Sequence, residues 1–114
     1  LLGPGQYLVL GVNANSATNG GVSVAYAYPF ASLQLGNADD EIVLLSADLT
    51  EIDRVEYDNG LLWPDTTGLS LNLRPDSLDY LLNDSGNYWC HASSLIGGAG
   101  PDTGTPNASN DTCP

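Results

Sequence analysis

Carboxylates on tight turns, a pair of cysteines, a lone histidine and three asparagine sequons are the residues here that could do chemistry. Asn37-Ala38-Asp39-Asp40-Glu41 crowds three carboxylates onto one turn, and Asn83-Asp84-Ser85-Gly86-Asn87 is a second turn of similar character. Hard cations take several oxygens from carboxylates and loop carbonyls. Asp39, Asp40, Glu41 and Asp84 are therefore the candidate calcium ligands, although neither stretch has the EF-hand pattern. The plainer reading is solvated turns, and calcium is the one cofactor the sequence raises. Cys90 and Cys113 have no CxxC spacing, and His91 is the sole histidine, which leaves a zinc site without ligands. No basic neighbour would activate a thiolate. The pair reads as a structural disulfide that ties down the C-terminal tail. Closing a loop of about two dozen residues stabilises by about 3 kcal/mol on the chain-entropy estimate.

Nucleophilic catalysis needs a Ser or Cys, a base and a third group that orients the base. His91 is the only available base, and it follows a cysteine already placed in a disulfide. It reads as a lone surface histidine, and no catalytic residue is expected. Asn83, Asn107 and Asn110 each begin an N-x-S/T sequon, the last two in a polar tail where a glycan would fit. Trp63, with Tyr26, Tyr28 and Trp89, is the candidate stacking platform for a carbohydrate. Aromatics in a sandwich are more often core residues.

These groups must be positioned by a chain of 114 residues, enough for one domain with a core of its own. Fourteen acids face two arginines and no lysine, for a formal charge of −12. That balance repels nucleic-acid phosphates and anionic lipid headgroups. No apolar run is long enough for a membrane helix. A disulfide implies an oxidising compartment. With few basic residues and many Asn, Thr, Ser and Gly, an extracellular or cell-surface location is expected. The opening at Leu1 reads as the end of a preceding element, so a longer precursor is expected.

The pattern is that of short strands separated by turns, with no helical periodicity of useful length. Residues 6–12 (QYLVLGV) are apolar on both parities and read as a central strand. Residues 22–28 and 32–35 alternate. Residues 42–45 and 51–57 form a hairpin over the turn Ser46-Ala47-Asp48-Leu49-Thr50, its first strand buried on both faces. A parity break predicts a β-bulge near Asp53 and Arg54. Residues 69–73 alternate as another strand, and residues 77–82 make one helical turn capped by Ser77. From residue 97 onward the chain is irregular, with nothing to bury.

The order of motifs resembles the lamin tail domain family in its bacterial secreted form. The matching pieces are GPGQYLVLG at 3–11, LQLGNADDEIVLLSADLTEIDRVEYDNG at 33–60, WPDTTGLSLNLRPDS at 63–77, GNYWCHAS at 86–93 and GTPNASN at 104–110. The resemblance implies an all-β, antiparallel, immunoglobulin-like β-sandwich over residues 1–96, with residues 97–114 as a tail. The chain departs from the family in two ways. Leu49 follows Asp48 where the family has glycine, and the strands that usually precede the GPG turn are absent. A sandwich without them has unpaired edges and open apolar faces. Either those strands lie elsewhere in the same polypeptide, or a neighbouring chain supplies equivalents. The expected function is a non-enzymatic structural, assembly or adhesion module that associates with itself or with other cell-surface proteins, and in the second case polymerises by β-strand exchange. The alternative is a calcium- or carbohydrate-binding accessory domain of a larger secreted enzyme.

Overall fold

β-branched and leucine residues between two polar turns make the longest hairpin in the protein. In the computed structural model, which describes residues 2–97 and 100–114, the elements in chain order are β1 (Leu10–Gly11), β2 (Tyr26–Ala27), a 3-10 turn (Phe30–Ser32), β3 (Asp40–Leu45), β4 (Glu51–Tyr57), β5 (Leu71–Leu73), a 3-10 turn (Gly86–Tyr88) and β6 (Trp89–His91). The fold is all-β, built from three two-stranded sheets: β1–β2, β3–β4 and β5–β6.

The β3–β4 register opposes Asp40 to Tyr57, Ile42 to Val55 and Leu44 to Asp53. Opposed residues share a face, so Glu41 and Val43, opposite Glu56 and Arg54, lie on the other one. The register then slips, and Leu45 opposes Glu51. The bulged residue is thus Ile52, just before the expected Asp53–Arg54 position. The extra residue turns Glu51 onto the face of Arg54. There the guanidinium reaches both carboxylate oxygens, at 3.2 Å and 2.9 Å. Glu56 and Glu41 approach the same group at 3.4 Å and 3.7 Å. This exposed network raises the pKa of Arg54, chiefly through Glu51. The expectation that residues 42–45 are buried on both faces is overturned, since Ile42 is 50% and Leu44 57% exposed. Among the described residues no third strand joins this sheet; the segment that approaches it is Tyr80–Asp84, where Asn83 donates to Asp53 at 2.8 Å.

At the hairpin tip Leu49 adopts φ 66°, the left-handed region that suits glycine. Polar neighbours hold it there. Ser46 Oγ donates to the Asp48 carboxylate, the Thr50 amide donates to Ser46 Oγ at 3.1 Å, and the Ser46 amide donates to the Thr50 carbonyl at 2.8 Å.

The N-terminal third departs most from expectation. Only Leu10–Gly11 of residues 6–12, and only Tyr26–Ala27 of residues 22–28, lie in strands. They pair in parallel, not antiparallel. Residues 12–25 supply the connection of roughly a dozen residues that parallel pairing needs. Asparagine side chains replace a helix in it: Asn19 Nδ2 donates to the carbonyls of Asn13 and Val22, and Asn19 Oδ1 accepts the Val22 amide. Residues 33–35 form no strand: the chain turns at Phe30–Ser32 after Pro29, and among the described residues no strand pairs with them.

The small core lies between β5–β6 and the segments that wrap it. Trp63 is 6% exposed, and its ring centroid lies 5.2 Å from that of Trp89. Asp58 sets this position by accepting the amides of Leu61, Leu62 and Trp63, each at 3.1 Å to Oδ1. Gly86 passes beneath, where a Cβ would overlap the Leu62 carbonyl. The turn expected to be capped by Ser77 is instead closed by Asp79, whose carboxylate accepts the Leu81 amide at 2.8 Å. Ser77 itself is buried, its amide donating to the Arg74 carbonyl.

The tail is docked, contrary to a segment with nothing to bury. Thr103 is buried and bridges to Leu69 and Leu95. Cys90 and Cys113 form a disulfide across 23 positions. Beside it sits Asn72, 2% exposed, which donates to the Asp111 carbonyl at 2.8 Å and accepts the Asp111 amide at 3.0 Å. The alternation at β5 is therefore inverted: the polar residue is buried, while Leu71 is 36% exposed.

Candidate functional site

The candidate calcium ligands are not assembled into a site. Asp40 turns back on its own chain, accepting the Gly36 amide at 2.7 Å and the Glu41 amide at 2.8 Å, and those bonds lower its pKa. Glu41 faces Arg54. Asp84 lies elsewhere, on a cleft of about 470 Å³ beside β4 that Glu51, Ile52, Asp53, Arg54, Tyr80 and Leu81 also line. Among the described residues, no three His, Cys, Asp or Glu side chains are grouped to hold a metal ion.

Trp63 offers no face to a sugar, because it is packed inside and belongs to the core, whereas Tyr26 of the same expected platform is 62% exposed. Trp89 is half-buried against it, its indole N–H donating to the Asn83 carbonyl at 2.9 Å. The sequons also differ in access. Asn83 is buried and its amide nitrogen donates to Asp53 at 2.8 Å, so the folded chain withholds it from a glycan. Asn110 is half-buried, donating to the Leu73 carbonyl at 2.7 Å. Asn107 is exposed, at φ 61°, and donates to the Ser23 carbonyl at 2.8 Å. His91 is not the surface residue expected: it is half-buried in β6 and its Nε2 is buried without a hydrogen-bond partner.

What the fold does assemble is an open apolar surface. Tyr7, Leu8, Leu10, Val12, Phe30 and Leu33 are exposed in the first third, and Ile42, Leu44, Leu45 and Ile52 on the hairpin. Trp63 and Ala92 are the only buried apolar residues among those described. The accessible surface is 7940 Å², against about 5,900 Å² for a folded monomer of this mass. Among the described residues, no strand pairs with the outer edge of β3 or of β4. Free edges and uncovered apolar faces are surfaces for association.

No family model matches the chain, and neither a curated protein nor a solved structure matches it.

Asp58, Asn72 and Asp111 are the positioning residues that sequence reasoning missed. Asp111 accepts the Ser93 and Ser94 amides at 2.7 Å and 2.8 Å and the Ser94 hydroxyl at 2.7 Å. The Ser94 hydroxyl, followed by these amides, holds its pKa down at about 2. Asp58-Asn59-Gly60 has the composition of a turn, but nothing in it shows that Asp58 gathers three amides. No helix among the described residues is long and apolar enough to cross a membrane. The disulfide is compatible with an oxidising, extracellular setting.

Proposed function

We propose that this chain is a non-enzymatic, extracellular assembly module of lamin-tail type, an immunoglobulin-like sandwich whose sheets are completed between chains. The observation that supports this is the surplus of about 2,000 Å² over a monomer's expected surface, where a partner in a standard interface contributes about 800 Å². Residues 6–12 are the exchangeable segment. They combine strand-forming residues with exposed Tyr7, Leu8 and Leu10, and among the described residues only Leu10–Gly11 engages a strand of the same chain. A strand delivered to a neighbour satisfies edge N–H and C=O groups and covers apolar area together. If donor and acceptor surfaces differ, the contact is heterologous and builds rings or filaments. The charge of −12 does not prevent this, since exposed charges are screened beyond about 8 Å at physiological salt. The module needs no cofactor, and its partners are copies of itself or other cell-surface proteins.

Sedimentation velocity of the wild-type chain, from nanomolar to submillimolar concentration, tests the reading. The expected result is mass rising with concentration through dimers or larger species. A folded monomer across the whole range overturns it.

A further inference from the structure

We propose that β3 pairs edge to edge with β3 of a second copy, antiparallel and centred on Val43, forming a four-stranded sheet. This rests on the assembly reading above and names its first contact. The two free edges of the hairpin are chemically unlike. β4 carries Glu51, Asp53, Arg54 and Glu56, and it is broken by the bulge at Ile52. Charges and bulges are the devices that keep sheet edges from pairing with other chains. β3 has neither over Ile42-Val43-Leu44-Leu45, where Ile42, Leu44 and Leu45 are all exposed. Among the described residues, its only strand partner is β4.

The sequence of β3 also fits a copy of itself. A two-fold axis perpendicular to the sheet keeps like faces on the same side. The face bearing Ile42 and Leu44 must therefore continue onto the same residues of the copy. That condition limits the register to pairings of like parity, and the one that sets Ile42 and Leu44 against each other has Val43 opposite Val43, Glu41 opposite Leu45, and Asp40 opposite Ser46 of the second copy. A slip of one residue would bring Glu41 into line with the apolar face. In the proposed register no two carboxylates oppose each other, which would be destabilising. The two Glu41 residues stand four positions apart, roughly 13 Å at about 3.3 Å per residue, beyond the screening length of about 8 Å. Ile42 and Leu44 from both copies make one continuous apolar strip. The uncharged first third, in which no Asp, Glu, Lys, Arg or His precedes Asp39, supplies further apolar area for contact without repulsion. An isologous contact of this kind closes at the dimer. Growth beyond it falls to exchange of residues 6–12.

Cysteine cross-linking of the full chain tests the register. Directly opposed residues of an antiparallel pair lie about 4.5–5.5 Å apart at Cα, within the range a disulfide spans. Val43→Cys is expected to form a covalent dimer on mild oxidation. A mixture of Ile42→Cys and Leu44→Cys chains is expected to cross-link, and neither variant alone to do so at a comparable rate. Ile42→Lys, at an exposed position, is expected to keep the monomer's melting temperature and lose dimerisation in sedimentation. If the wild type associates while Val43→Cys stays uncrosslinked and Ile42→Lys still dimerises, the β3 contact is overturned and assembly stands. Cross-linking of Val43→Cys to a cysteine within residues 6–12 of a neighbour, in place of itself, would also overturn it. A wild type that is monomeric throughout overturns both readings.

Discussion

Replacing Trp63 by alanine probes the core at its most concentrated point. Trp63 is 6% exposed, and Ala92 is the only other buried apolar residue among those described. Truncation removes the indole from its place 5.2 Å from the Trp89 ring, and the Leu62–Trp63 backbone, held by Asp58 and Gly86, leaves the site little room to collapse. Large-to-small changes of this kind cost about 3–5 kcal/mol, with the aromatic pair accounting for about 1 kcal/mol beyond area burial. Against a typical total of about 5–15 kcal/mol, that is about a fifth or more of the stability of the fold. Urea unfolding followed by far-UV circular dichroism, with Trp89 fluorescence as a second probe, measures the loss. The midpoint should fall steeply at unchanged m-value, and Trp63→Phe should fall between variant and wild type. A loss below about 1 kcal/mol, the range of an ordinary surface substitution, would refute the placement of Trp63 in the core.

Leu49→Gly should stabilise the chain by about 1 kcal/mol, because Leu49 is 77% exposed and held at φ 66°; an unchanged or lower melting temperature would contradict this. Gly86→Ala should cost about 1–3 kcal/mol by forcing a Cβ into the Leu62 carbonyl, which thermal unfolding of the variant measures. Reducing Cys90–Cys113 should cost about 3 kcal/mol and expose residues 97–114 to protease, seen as early cleavage on mass spectrometry. Asp111 is held at about 2, below its ordinary 3.8, so the carboxylate's contribution to tail docking is present above pH 3.8 and is lost as pH falls through about 2. The Ser93 and Ser94 amide resonances should shift in that window; constancy there would count against the clasp.

The hairpin, the turns and the disulfide were legible because each is local or rests on a unique pair of residues. An Ile-Val-Leu-Leu run between polar turns specifies a strand and its hairpin mate. Two lone cysteines leave one pairing. Neighbours are less legible, because periodicity reports which residues share a face and not what covers it. Residues 6–12 read as a central strand, but a strand needs partners, and among the described residues its one strand partner is Tyr26–Ala27. Asn72 shows the same limit. The alternation of Leu71, Asn72 and Leu73 was visible, whereas its sense was set by the distant Asp111, which satisfies the asparagine amide and permits its burial. The bulge could be inferred from broken parity, but not its place at Ile52, which brings Glu51 beside Arg54. From the sequence Trp63 reads as platform or core; its burial against the Trp89 ring makes it core.

Amide hydrogen exchange of the wild-type chain at low and high protein concentration tests most directly whether a second copy covers the open sheet edge. Protection in Asp40–Leu45 and in residues 6–12 should rise with concentration, while β5 and β6 exchange at constant rates. Exchange in β3 that is rapid and independent of concentration would contradict completion of the fold between chains.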